Sequence, residues 1–355
     1  MSMASATSVR PVDGGAWTLE NDAVTVVVNP ARGTDILSLV WKATGEEILW
    51  RDPHWVDRVP AADTADASDV SFFDNYAGGI QELFPNAGPP TTVHGAPLPF
   101  HGEAARRSWA AEAVETADGT ALRCVTRLAR YPFRMTKTFS LDGSVLRFRS
   151  EVENLSTRAL PSNWGLHPAF NTATVARAAT VYGPFEELTA HPEDFGARQW
   201  MTPGERRRVP AVAPGVGALG LAPGEGPTAD LGYATVTGGW FGLRSPGCGL
   251  VATMSWQPEL FPEIWVWQEC HAPDDYPWWG TEHIVAVEPH TTSPFMPLGE
   301  RLERPGVPVI AGGSTLSAEF TLGVHEIADD EVPVDVDERG VPVLITVSDE
   351  GKGAA

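Results

Sequence analysis

Glycine and proline recur along nearly the whole of this chain, 35 and 31 of them in 355 residues. In a helix interior glycine costs about 1 kcal/mol relative to alanine and proline about 3 kcal/mol. Proline also removes a backbone donor. No long amphipathic helix reads convincingly between these interruptions, whereas short strands survive them. The expected architecture is therefore all-β: one large antiparallel β-sandwich of many strands, with long loops at one rim carrying a site.

The clearest strand pattern lies near the middle. Phe133, Met135 and Lys137 alternate with Arg134, Thr136 and Thr138 and lead to Phe139 and Leu141. Asp142-Gly143 turns the chain, and Leu146 and Phe148 then alternate with Arg147 and Arg149. Strand, Asp-Gly, strand is a hairpin signal. Residues 17–28 read as a first strand pair around Asn21-Asp22, followed by strands at 36–41 and 48–50. Residues 240–244, 249–256 and 261–268 read as further strands. In the last of these Ile264, Val266 and Gln268 share one face, and Trp265 and Trp267 the other. Strict alternation at 316–324 marks the last strand of the core. Residues 51–70 read as an acidic surface excursion and 189–230 as long loops around short strands. No compositional break divides 16–325, so that span is expected to be one domain. Residues 1–15 read as a loose leader and 326–355 as an acidic, weakly packed tail.

The formal net charge of −21 argues against nucleic acid and anionic lipid as partners, since both call for a basic face. Cys124, Cys248 and Cys270 are odd in number and none sits in a Cys-x-x-Cys pair, which speaks against a disulfide framework or a structural zinc. No signal-peptide core is visible in the first residues, and no run of eighteen apolar residues exists. A cytoplasmic protein is expected.

Chemistry concentrates in Thr281-Glu-His-Ile-Val-Ala-Val-Glu-Pro-His-Thr-Thr-Ser-Pro294. Ile284 to Val287 is an apolar run of the kind a strand covered on both faces shows. It ends in Glu288, an acid that carries a desolvation cost unless something uses it. Tyr276, Trp278 and Trp279 lie just upstream, and a carboxylate beside flat aromatic surfaces suits a sugar. Taken alone, such a glutamate more often pairs with an arginine. Three other stretches add to it. Residues 71–88 hold Gly78-Gly79, Gln81, Glu82 and Asn86. Residues 94–109 hold the pairs His94-Gly95 and His101-Gly102. In Gly165-Leu-His-Pro-Ala-Phe-Asn171 the proline keeps His167 in extended backbone. Gln81, Glu82, Gln268 and Glu269 are polar groups on apolar stretches and serve equally as buried hydrogen bonders. Trp164, Trp265 and Trp279, taken singly, read as core.

These motifs resemble the aldose 1-epimerase (galactose mutarotase-like) superfamily. His101-Gly102 with Trp109 is similar to its His-Gly loop, Gly165 to Asn171 to its His-Pro-Tyr/Phe-Phe-Asn signature, and Ala286-Val-Glu288-Pro289 to the strand bearing its catalytic glutamate. Ala77-Gly-Gly-Ile-Gln-Glu-Leu-Phe-Pro85 looks like a loop of the hexose-6-phosphate epimerase branch. That branch has arginines where this chain has Ala77 and Ala105, with Arg106 one place later. The resemblance implies mutarotation of a hexose or related sugar, without metal, nucleotide or other cofactor. Glu288 is then the base and His167 the acid, each such transfer contributing about 10² to 10⁴ in rate. His101, Gln81, Glu82, Arg106, Trp164, Gln268 and Glu269 are the candidate substrate contacts. Two further functions stay open: a sugar-binding protein without catalysis, and a glycoside hydrolase or lyase pairing Glu288 with Glu82. A second copy of the chain as partner, a homodimer, is also left open.

Overall fold

The computed structural model describes residues 7–53, 68–194, 199–221, 227–272 and 274–347. The strands expected from alternation form two large antiparallel sheets, of 12 and 10 strands. The larger runs in the spatial order Ser8–Pro11, Trp17–Glu20, Val24–Asn29, Asp35–Trp41, Ile80–Leu83, Gly165–Asn171, His283–His290, Glu263–Cys270, Thr228–Thr235, Glu187–Ala190 and Arg206–Arg208, with Glu46–Glu47 beside Asp35–Trp41. In the smaller sheet Thr315–Glu326 lies between Val145–Asn154 and Leu250–Trp256.

Phenylalanines join the sheets into a sandwich. Phe84 meets Phe133, Phe170 meets Phe241 and Phe261 meets Phe320, at ring-centroid separations of 5.3, 5.8 and 5.1 Å. One ion pair crosses the same seam. Lys137, which shares the inward face of its strand with Phe133 and Met135, reaches Glu82 Oε2 at 2.7 Å. Ser150 donates to the same oxygen, and Trp164 Nε1 donates to Oε1 at 2.9 Å. This buried carboxylate thus has a counter-charge and two donors, the satisfaction that an interior acid requires.

The other face of the large sheet is not left to water. Over its centre, Trp50, Phe72, Tyr76, Phe100 and Trp278 pack with Ala169 and Ile284. Ile284 to Val287 are therefore fully buried on both faces, as the apolar run implies.

Several local expectations change. The 133–154 hairpin forms, but its two-residue connection is Gly143-Ser144, one place later than Asp142-Gly143, with Gly143 at φ 58°. Ser8–Pro11, inside the stretch read as a loose leader, is a strand paired with Trp17–Glu20. Within the stretch read as a weakly packed tail, Glu331–Val336 and Pro342–Thr346 pair as a hairpin. Val336 of that hairpin is buried with Val216 and Trp240. Arg147 donates to the carbonyls of Glu338 and Arg339, and Thr253 to that of Gly340. Most of the acidic excursion, 54–67, lies outside the described residues, as do 348–355. Among the described residues no helix is long and apolar enough to cross a membrane.

Candidate active site

Strand register assembles the site. Gly165 pairs with His290 and Ala169 with Ala286, so His167 and Glu288 stand opposite each other. On the flanking strands Gln81 is level with His167 and Trp265 with Glu288. A row Gln81, His167, Glu288, Trp265 thus crosses four neighbouring strands on one face, because side chains level with one another on adjacent strands point the same way.

Above this row lies a cavity of about 340 Å³, at the small end of the range for small-molecule sites. His101, His167, Glu269 and Glu288 line it together with Tyr76, Trp265, Trp267, Trp278, Phe295 and six other aromatic or aliphatic groups of the roof and wall. Asp69, exposed at the start of the short Asp69–Phe73 helix, stands at its edge. Larger grooves exist elsewhere, one of about 640 Å³ beside Tyr233 and Glu263, but neither His167 nor Glu288 faces them.

Glu288 is held between two histidines. Its Oε1 is 3.6 Å from His167 Nε2, and its Oε2 shares a 3.0 Å hydrogen bond with His290 Nε2. The His290 ring lies flat on Trp265, centroids 3.5 Å apart. Space for that ring comes from Gly165, where an added Cβ would sit 2.2 Å from His290 Cε1. His167 Nδ1 is 3.4 Å from the Tyr76 hydroxyl, and Tyr76 is itself stacked between Trp50 and Phe72. His101 enters from its loop with φ 57°, an uncommon backbone conformation for a non-glycine residue and one found at functional sites. Its backbone N–H donates to Gly88 O, and its ring packs against Phe100 and Phe72. Nδ1 of His101 has no protein partner among the described residues.

Burial governs the protons. It pushes the Glu288 carboxyl well above the usual carboxylate range and the His167 imidazole down to about 4. His101 and His290 are held well below the ordinary histidine value, first by burial and then by neighbouring imidazoles. Glu269 is pushed up to about 8 by burial, opposed by the hydrogen bond from Trp267 Nε1. These opposite shifts favour a proton shared by the pair His167–Glu288 residing on the carboxyl rather than on the imidazole. A resting carboxylate and imidazolium, which the resemblance implies, is the less favoured arrangement of that same proton.

Of the residues singled out in the sequence, Glu288, His167, His101 and Glu269 come together in the cavity. The other candidate contacts, Gln81, Glu82, Arg106, Trp164 and Gln268, do not line it. Gln81 is level with His167, but its amide Nε2 donates to Gly78 O beneath the site. Glu82 points to the opposite face and belongs to the inter-sheet ion pair, which removes the Glu82–Glu288 hydrolase pairing. Trp164 is core, fully buried between Phe84 and Phe261. Gln268 follows Val266 to the inner face, as its alternation with Trp267 requires. Arg106 is buried and donates to Ser71 Oγ, tying its loop to the Asp69–Phe73 helix. Trp265 faces the site, whereas Trp279 is 64% exposed and, with Tyr276, lines a neighbouring groove. Sequence reasoning missed His290 and Tyr76. His290 had a readable signal, since two residues beyond Glu288 on a strand is the same face. Tyr76 had none, because its place depends on a loop folding back over the sheet.

Residues 15–183 match the family model for aldose 1-epimerase. That span includes His101 and His167 but ends before Glu288. No curated protein matches the chain. Solved structures share its fold. One from Synechocystis is 18% identical, with TM-score 0.66, covering 92% of this chain and 99% of that one. A galactose mutarotase related enzyme from Lactobacillus acidophilus is 17% identical, TM-score 0.61, covering 88% and 98%. A galactose mutarotase-like protein from Clostridium acetobutylicum is 13% identical, TM-score 0.60, covering 91% and 99%.

Proposed function

We propose that this chain, which resembles the aldose 1-epimerases in sequence over 15–183 and galactose mutarotase-like proteins in fold over most of its length, interconverts the anomers of an uncharged or cationic aldose. The observation that carries the reading is the coupled pair His167–Glu288 at 3.6 Å on the floor of an aromatic cavity. Ring opening needs a base and an acid in one step, and a pair holding one proton between two partners supplies both.

Passage of that proton from Glu288 to His167 leaves a carboxylate and an imidazolium. Glu288 then takes the proton of the anomeric hydroxyl, the C1–O1 bond becomes a carbonyl, and the bond from C1 to the ring oxygen breaks. His167 delivers its proton to that oxygen. Rotation about C1–C2 and the reverse steps close the ring on the other face and return the proton to the pair. His290 holds Glu288 at its second oxygen, and the Tyr76 hydroxyl fixes the far side of the His167 ring. His101 offers its unpartnered nitrogen to a sugar hydroxyl. Flat aromatic walls suit the C–H faces of a pyranose.

Charge narrows the substrate. No lysine or arginine lines the cavity among the described residues, and a phosphate calls for the forked donors of arginine. Ala77 and Ala105 are buried, and Arg106 is engaged with Ser71. The test is polarimetric mutarotation of a panel of aldoses and their 6-phosphates. Acceleration is expected with at least one non-phosphorylated sugar and should be weaker with its phosphate. Rates equal to those in buffer for every sugar would end the mutarotase reading, and a faster phosphate would end the charge argument.

A further inference from the structure

The catalytic pair accounts for one end of the cavity and leaves a second acid unused. Glu269 sits four residues from Trp265 on the Glu263–Cys270 strand, level with Ile284 where Trp265 is level with Glu288. Its side chain is therefore about 13 Å of strand away from the pair, at about 3.3 Å per residue. It lines the same cavity and is 8% exposed. Oε1 accepts from Trp267 Nε1 at 3.1 Å, and Oε2 is buried with no protein partner among the described residues.

A buried carboxyl with an unused oxygen carries a desolvation cost unless a ligand group meets it. Three features say what group fits. The lining offers no cation, while Glu269, Glu288 and Asp69 are all acids. The walls beside Glu269 are indoles, with Trp267 and Trp278 centroids 6.2 Å apart, and an indole face attracts cations more than the rings of Tyr or Phe do. Of the polar groups in the lining, Glu288, His167 and Tyr76 are engaged with one another, so a single strong contact at Glu269 has more to contribute than several weak ones. We infer that Glu269, backed by Trp267 and Trp278, recognises an ammonium group, and that the substrate is an amino-substituted aldose. An ammonium group beside Glu269 favours its charged form, opposing the effect of burial. The field of a chain with net charge −21 steers such a ligand inward.

The inference rests on the mutarotase reading for the word substrate, but its test reads binding separately from turnover. Titration calorimetry and polarimetry are run on an aldohexose, its amino-deoxy analogues with the amine at different carbons, and their N-acetyl derivatives. At least one amino sugar should bind about tenfold or more tighter than the parent hexose, the equivalent of about 1.4 kcal/mol or more. N-acetylation, which removes the charge and leaves the protein untouched, should abolish the difference. In Glu269→Gln the amino and parent sugars should bind within about threefold of each other, reading only their ratio. An amino sugar that binds no tighter than its parent overturns the inference, as does a preference that survives Glu269→Gln. Preferential binding of amino sugars with no acceleration of any sugar would uphold ammonium recognition and end mutarotation. Accelerated mutarotation with no amine preference would do the reverse.

Discussion

Two glutamates of the large sheet, Glu82 and Glu288, are equally buried and lie on strands separated only by Gly165–Asn171. Glu82 faces the seam between sheets and meets an ammonium, a hydroxyl and an indole N–H. Glu288 faces the aromatic cavity and meets two imidazoles that burial keeps neutral. One acid therefore has a permanent counter-charge and the other a partner that can take or give a proton. Burial alone does not distinguish a carboxylate fixed by a permanent charge from one that shares a proton with its neighbours; the protonation chemistry of its partners does.

The largest expected effect comes from removing proton exchange on the cavity side. Glu288→Gln and His167→Asn should each lower the catalysed rate by about 10² to 10⁴ with little change in melting temperature. The double variant should be little worse than the poorer single, since the two groups act as a unit. Full activity in Glu288→Gln would erase the contrast between the two acids. The pH–rate profile sharpens it. Below about 4, His167 is protonated while Glu288 keeps its proton, so no base remains and the rate falls. On the alkaline side Glu288 loses its proton well above the usual carboxylate range, no acid remains, and the rate falls again. The limbs are thus reversed from the carboxylate-acid-limb, histidine-alkaline-limb profile that the family resemblance suggests. An acid limb that persists unchanged in the residual activity of His167→Asn would refute this assignment.

On the seam side the effect should be on stability alone. Lys137→Met leaves Glu82 buried without its counter-charge, at a cost of about 3–5 kcal/mol in urea unfolding. Adding Glu82→Gln removes the charge, while the amide oxygen still accepts from Trp164 Nε1 and the NH2 group donates to Ser150 Oγ, and should recover most of that loss. If the double variant is no more stable than Lys137→Met, the ion pair is not what secures the seam.

The smallest effect probes the space behind Glu288. Gly165→Ala places a methyl against the His290 ring, an overpacking worth about 1–3 kcal/mol that also loosens the hold on Glu288. A lower melting temperature and a rate reduced by about tenfold are expected together, short of the roughly 10²-fold that a 1 Å misplacement of the proposed base can cost. Gly220→Ala, where an added Cβ meets nothing within 4 Å, is the control. Unchanged rate in Gly165→Ala would show that His290 does not position Glu288.

Much of this was legible from residue order. Frequent glycine and proline exclude long helices, alternation marks strands, and a period of two places Trp265 and Trp267 opposite Gln268 and Glu288 beside His290 on one face. His167 and Glu288 were recognisable because each adjoins a proline within a short motif. Even the seam left a trace in Lys137, on an otherwise apolar face. What residue order did not decide was which face of each central strand would hold chemistry. Ile284 to Val287 is apolar throughout because one side meets the second sheet and the other meets Phe72, Tyr76 and Trp278. A hydrophobic pattern separates inside from outside, and here both sides are inside. Gln81 and Glu82 are adjacent polar residues on one such strand, so only the long-range packing of Lys137 against one and the register of His167 beside the other separates their roles. The same holds for the arrangement of Glu288, His290 and Gly165, which depends on contacts between residues more than a hundred positions apart and on a ring fitting where a side chain is missing.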